Sequence, residues 1–319
     1  MSLRLSTAPH IRSIETTKRL MADVVIALMP AALVGIYYFG PNAALLVGLS
    51  AFTAVLTEYL WQKSAKKPVC IGDLSALVTG LLLGLNLPPT APWWLAVFGS
   101  FLAIALVKQL FGGLGHNFMN PALTSRAILL ASWPVRMTSF VMPTYFVPVE
   151  AVASATPLGG LPASTLELFL GTIPGTIGEV CKAAILLGLL YLLIRGTVYP
   201  HVPTIFLFVT ALLGWALGTN GGFTFDGDPL AAILSGGVMF GAVFMATDYA
   251  TSPMTKKGQA IFAAGCGLIL SVIRAYSKLP EGATYAILLM NIATPLIDKY
   301  IKPTVYGSQK AVKGVKANA

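Results

Sequence analysis

The sequence predicts an all-α polytopic membrane protein of about ten transmembrane helices. They are arranged as two inverted five-helix repeats, with both termini in the cytoplasm. Three observations predict this. Hydrophobic residues make up 56% of the 319 and charged residues only 10%, against roughly 25% charged in soluble domains. Lys and Arg gather on one side of the expected spans. Short sequence matches also recur in the two halves, in the same order.

Taken in order, residues 1–19 form a polar cytoplasmic segment without a signal-peptide pattern, so the first span is expected to stay in place. A helix crosses the hydrocarbon with about 20 apolar residues. Runs of that kind fall at about 20–40, 42–61, 72–88, 93–111 and 119–133, the first repeat. The third and fifth are short and interrupted by glycine, proline or a charge. Residues 134–174 form a long loop of prolines, threonines and small residues, and loops of that length inside compact proteins are usually functional or linkers. The second repeat follows with spans at about 175–195, 200–218, 229–247, 258–276 and 281–300, and a basic cytoplasmic tail covers 301–319.

Charge sets the orientation. With the N-terminus inside, the cytoplasmic side receives Arg4, Arg12, Lys18, Arg19, Lys63, Lys66, Lys67, Lys108, Arg195, Lys256 and Lys257. The tail adds Lys299, Lys302, Lys310, Lys313 and Lys316, giving 16 of the 21 basic residues. Only Arg136, Lys182, Arg274 and Lys278 fall outside, and Arg126 lies within a span. This is the positive-inside pattern, and it places the long loop on the outer face. Asp73-Leu-Ser-Ala-Leu-Val-Thr-Gly80 resembles Pro229-Leu-Ala-Ala-Ile-Leu-Ser-Gly236, which follows Asp228, at an offset of 156. Ala127-Ile-Leu-Leu130 recurs as Ala286-Ile-Leu-Leu289 at an offset of 159. Five spans per half is odd, so the second half enters the membrane upside down, as in many transporters built around discontinuous helices.

The same features exclude several classes. The net charge of +9 sits between spans rather than in a patch, which argues for topology signals and against nucleic acid. Cys70, Cys181 and Cys266 are isolated, with no spacing for a disulfide framework, a zinc site or an iron–sulfur cluster. No metal-ligand set and no catalytic constellation is assigned.

Three polar motifs interrupt the apolar pattern. Gly112-Gly-Leu-Gly-His-Asn-Phe-Met-Asn-Pro-Ala122 joins spans four and five on the cytoplasmic side, where Asn117 or Asn120 could cap the helix that Pro121 starts. An ordinary capped turn and a backbone nest for an anion or aromatic ring both fit it. Ala246-Thr-Asp-Tyr-Ala-Thr-Ser-Pro-Met-Thr-Lys-Lys-Gly258 closes span eight with hydroxyls, one carboxylate and an aromatic. Asn291-Ile-Ala-Thr-Pro-Leu-Ile-Asp298 places an amide and a proline inside span ten. In the outer loop, Glu150-Ala-Val-Ala-Ser-Ala-Thr156-Pro-Leu-Gly-Gly160 is small and neutral, so a bulky group could approach its backbone closely.

Together, in this order, these motifs resemble the family shared by the D subunits of the Rnf complex and the B subunits of the sodium-pumping NADH:quinone oxidoreductase. The Rnf complex is an ion-translocating ferredoxin:NAD oxidoreductase. The likeness runs from about Arg12 to Lys302, and the long N-terminal extension typical of the quinone-reductase relative is missing, which favours the Rnf branch. The resemblance implies FMN attached through its phosphate to a threonine by a dedicated flavin transferase, whose target resembles Asp-x-x-Ser/Thr-Gly/Ser-Ala-Thr. Laid on this chain, the acceptor is Thr156, with Ser154 and Ala155 matching. Glu150 stands where Asp is usual and Ala153 where a hydroxyl residue is usual, departures that bear on the efficiency of attachment more than on its position. The quinone-reductase relative also implies a second, non-covalent flavin (riboflavin). Other members of the complex are expected as partners, in the inner cell membrane.

Asp23, Glu58, Asp73, Arg126 and Asp248 fall near cytoplasmic helix ends. Charges inside a membrane are costly and usually face the bundle interior. One reading pairs Arg126 with Glu58 or Asp23 to hold helices together. The other makes the set, with Thr247 and Asn291, a half-channel for Na⁺ or H⁺, since hard cations prefer carboxylate, hydroxyl and carbonyl oxygen. The leading function implied by the resemblance is a flavin relay subunit of an ion-pumping electron-transport complex, incomplete as an enzyme alone. The alternative is a stand-alone channel or secondary transporter, which has no use for a covalent flavin.

Overall fold

A computed structural model describes residues 15–143, 163–218, 224–277 and 282–303. Thr156, Ser154 and Ala155 lie outside these residues. The described residues form helices and no strand. Among the described residues, three helices are long and apolar enough to cross a membrane: α1 (Thr17–Phe39), α2 (Pro41–Ser64) and α12 (Lys256–Tyr276). Shorter apolar helices are α3 (Ser75–Leu85), α4 (Trp93–Phe101, continuing as a π-helix over Leu102–Gln109), α8 (Lys182–Ile194) and α9 (His201–Leu217). The remaining elements are α5 (Pro121–Ser132), α6 (Pro134–Met137), α7 (Thr165–Leu170), α10 (Pro229–Leu234), α11 (Val238–Phe240, continuing as a π-helix over Gly241–Met245) and α13 (Ala283–Tyr300).

Local chemistry sets the boundaries. The Thr16 hydroxyl caps α1 by accepting from the Arg19 N–H. Asn120 caps α5, taking the Ala122 and Leu123 N–H groups, and Pro121 occupies the first turn, where no donor is needed. In the turn before it, Gly112, Gly113 and Gly115 all have positive φ, which explains why glycines are concentrated there.

At two of the positions expected to be spans the helix is delayed or broken. The sixth starts as helix at Lys182 rather than near 175. Residues 171–181 form an irregular buried strip folded onto the end of α3, where the Gly178 N–H donates to the Leu85 carbonyl and the Ile177 N–H to the Leu87 carbonyl. Such backbone is tolerated deep in a membrane protein only where protein supplies its partners. The eighth span is divided at Ser235-Gly236-Gly237 between α10 and α11.

Packing brings the two halves together. In the first, α2 packs against α3 and α4, and the α4 π-segment against α5. In the second, α9 packs against α10 and α12, and α12 against α13. Across the halves α1 meets α8, and α5 meets α13. The α1–α8 contact is close because a side-chain carbon at Gly188 would stand 2.3 Å from the Ala27 carbonyl oxygen.

Candidate functional site

The three polar motifs, far apart in sequence, converge on one residue. Asn291, on α13, is fully buried. With its amide oriented so that both atoms are paired, it donates to the Thr251 carbonyl at 3.3 Å and accepts from the Asn120 N–H at 3.1 Å. One side chain thus joins the turn before α5, the segment after α11 and the middle of α13. The Thr294 hydroxyl also donates to the Thr251 carbonyl, at 3.0 Å.

Asp248 lies in the turn that Asn291 supports. Its carboxylate accepts from the Thr251 hydroxyl at 3.1 Å and from the Ala250 N–H at 3.4 Å. Loss of surrounding water pushes the Asp248 carboxyl above its ordinary value, against the opposing pull of those two donors and of the Lys108 charge. Two clefts adjoin here. One, with about 740 Å³ of empty space that runs out into the surroundings, is lined by Ser75, Thr79, Asn117, Asn120, Phe244 and Asp248, among others. The other, about 1220 Å³, is lined by Asp248, Ser252, Asn291, Thr294 and Asp298 among others. Asp248 and Tyr249 belong to both walls.

The remaining predicted charges are distributed around this end. Lys108 donates to Glu58 Oε2 at 2.9 Å and to the Ser75 hydroxyl at 2.6 Å. The Ser75 hydroxyl in turn donates to Asp73 Oδ1 at 2.7 Å, so Asp73 and Glu58 share one network. Glu58 Oε1 is held by the Gln109 and Gln62 amides at 2.7 and 3.3 Å. Asp23 pairs with Arg195 at 3.1 Å and accepts from the Tyr191 hydroxyl at 3.0 Å. The Tyr249 hydroxyl donates to the Thr197 carbonyl, tying this second cluster to the Asp248 turn.

The structure corrects the expected Arg126 pairing. Glu58 takes Lys108, Asp23 takes Arg195, and Arg126 donates to Asn86 at the far end of α3. The cause is position along the helices: Glu58 is joined through Lys108 to Ser75 at the start of α3 and Asp23 lies against the end of α8, whereas Arg126 reaches Asn86 at the far end of α3. Sequence reasoning also treats Lys108 as a topology signal and assigns no role to Asn86. A lysine in an otherwise apolar run is the available signal for the first. Asn86 carries no charge to mark it.

The NQR2, RnfD, RnfE family model matches residues 4–307. The chain is 49% identical to the D subunit of the Na⁺-translocating ferredoxin:NAD⁺ oxidoreductase complex of Acetobacterium woodii, covering 99% of each chain. It is 42% identical to the D subunit of the proton-translocating ferredoxin:NAD⁺ oxidoreductase complex of Clostridium ljungdahlii, covering 96% of each. The D subunit of an ion-translocating oxidoreductase complex from Pectobacterium atrosepticum is 36% identical, over 97% of this chain and 100% of the relative.

Proposed function

We infer the function of this chain from its family: it belongs to the NQR2, RnfD, RnfE family, and it is a membrane subunit of an ion-translocating ferredoxin:NAD⁺ oxidoreductase complex. The carrying observation is 49% identity spanning 99% of both chains. The other members of the complex are its partners, and they supply what this chain lacks in sequence, a nicotinamide fold and iron–sulfur cysteines.

We infer further that the chain crosses the inner membrane about ten times, as two inverted five-helix repeats with both ends cytoplasmic. The matched packing in the two halves supports this, as does the pairing of α1 with α8 and α5 with α13. FMN is carried on Thr156 through a phosphoester placed by a flavin transferase, with Ser154 and Ala155 completing the recognition sequence. Support for that attachment is the sequence Ser154-Ala155-Thr156 in the outer loop of a family member.

The smaller cleft suits a second, non-covalent flavin. Val78, Leu82 and Phe244 give it apolar walls, and the Asn117 and Asn120 amides with the Ser75 and Thr79 hydroxyls give polar edges. A flavin there would supply one-electron chemistry. The protein's part is to hold the ring, exclude water and keep Asp248 in the shared wall. A cation held by Asp248, Thr251 and Asn291 would offset negative charge placed in the neighbouring cleft, because Coulomb terms are large in low-dielectric surroundings. The ion is Na⁺ or H⁺. The relatives named for each ion are 49% and 42% identical to this chain, so overall similarity does not choose between them.

In-gel fluorescence tests the flavin. Co-expressed with its transferase, the denatured chain is expected to fluoresce under ultraviolet light, and Thr156→Ala is expected to be dark. Fluorescence persisting in Thr156→Ala moves the attachment elsewhere. A dark wild-type chain, with the transferase shown to be active, removes the covalent flavin.

A further inference from the structure

At the other end of the molecule lies a second buried Glu–Lys set with a different arrangement. Glu179 is 4% exposed, in the irregular strip before α8. Its Oε1 accepts from the Thr176 N–H at 3.1 Å. Its Oε2 is fully buried with no hydrogen-bond partner among the described residues, and the same holds for the Thr176 hydroxyl one turn away. Lys182, fully buried, makes no hydrogen bond to that carboxylate. The ammonium donates to the Glu179 and Gly236 main-chain carbonyls instead. Arg274 likewise donates to the Ala232 and Ser235 carbonyls at 2.6 and 2.8 Å, so two cations cover the carbonyl end of α10 where the eighth span breaks.

Glu58 shows what a structural pair looks like in this protein, because both its oxygens are occupied and Lys108 closes on it at 2.9 Å. Glu179 has the same ingredients left open. A buried carboxylate oxygen without a partner is costly unless it takes a proton or a cation. That oxygen faces the break in the eighth span, since a side-chain carbon at Gly237 would stand 2.7 Å from Glu179 Oε2. Gly237 also lines a small cavity with Asn86, Arg126 and Arg274. The 13 residues of α8, about 20 Å at 1.5 Å per residue, separate Lys182 from the Arg195–Asp23 end.

We propose that Glu179, with the Thr176 hydroxyl, binds the transported cation in the half of the protein opposite Asp248. This rests on the ion-translocating reading above. Lys182 is the internal competitor: it stays on the Glu179 and Gly236 carbonyls while the carboxylate holds the ion, and swings to the carboxylate when the ion leaves. The charged and titratable groups around Lys182 are Glu179 itself, Arg274 on α12 and the adjoining Cys181 thiol.

The test uses the assembled complex in sealed vesicles, driven by reduced ferredoxin and NAD⁺, with ion uptake read per electron transferred. Glu179→Gln is expected to lower that ratio at least about tenfold while uncoupled electron transfer is retained, and Glu179→Asp to restore part of it. Normal uptake in Glu179→Gln overturns the proposal. Absence of uptake in the wild type overturns the translocation reading instead. If Glu179→Gln does not assemble, the wild-type complex decides through dicyclohexylcarbodiimide, which adds to neutral carboxyl groups in apolar surroundings. The peptide containing Glu179 is expected to gain the reagent's mass. Na⁺ protects it if sodium is the ion, and raised pH alone protects it if the ion is a proton. No modification, or modification indifferent to both, overturns the assignment.

Discussion

Lys108 is 2% exposed and connects two acidic residues, Glu58 directly and Asp73 through the Ser75 hydroxyl. Removing one member of such a pair strands the other charge in the interior, a larger effect than the pair's own net contribution. Lys108→Met is therefore expected to destabilise the chain by about 3–5 kcal/mol. Adding Glu58→Gln should recover part of that, because a neutral amide no longer needs the ammonium. Thermal unfolding of the detergent-solubilised chain checks both, and a double variant no more stable than the single one contradicts the stranded-charge argument. Partners of this kind are not legible in the sequence. It marks Asp23, Glu58, Asp73, Arg126 and Asp248 as costly charges. Which of them meet depends on how each helix is rotated and how far along it each residue sits, so charge alone matches Arg126 to the wrong end of α3.

Among the described elements, α1 and α8 make the most extensive helix contact between the two halves, and Gly188 permits it. A leucine there cannot be accommodated without moving the Ala27 backbone, whereas a side-chain carbon at Gly48 on α2 meets nothing within 4 Å. Gly188→Leu is expected to abolish the monodisperse peak of the folded chain in size-exclusion chromatography, and Gly48→Leu to keep it. Equal behaviour of the two would show that the α1–α8 contact is not what holds the halves together. Element existence is legible because apolar runs and capping residues are local signals, as Asn120 and Pro121 at α5 illustrate. The start of the sixth span is not. Ile173, Ile177 and Val180 are as apolar as a helix face, and hydropathy cannot separate buried irregular backbone from helix.

For the whole molecule, the convergence on Asn291 is the feature that sequence order conceals and family resemblance anticipates only as a set of motifs. The proposed orientation has a direct check. A reporter active only outside the cytoplasm should work when fused near Gly160 and fail near Gly258 or Ala319; the opposite pattern contradicts the span count, because one missed span inverts everything after it. The central claim is that this subunit couples flavin electron transfer to ion movement through the Asp248 turn. Its most direct test is ion uptake by vesicles containing the assembled complex, wild type against Asp248→Asn, with Thr156 flavin fluorescence and subunit content measured in the same preparation. The expected result is retained fluorescence and full subunit content, with ion uptake lowered at least about tenfold. Unchanged uptake in a fully assembled, flavin-bearing Asp248→Asn complex would contradict the claim.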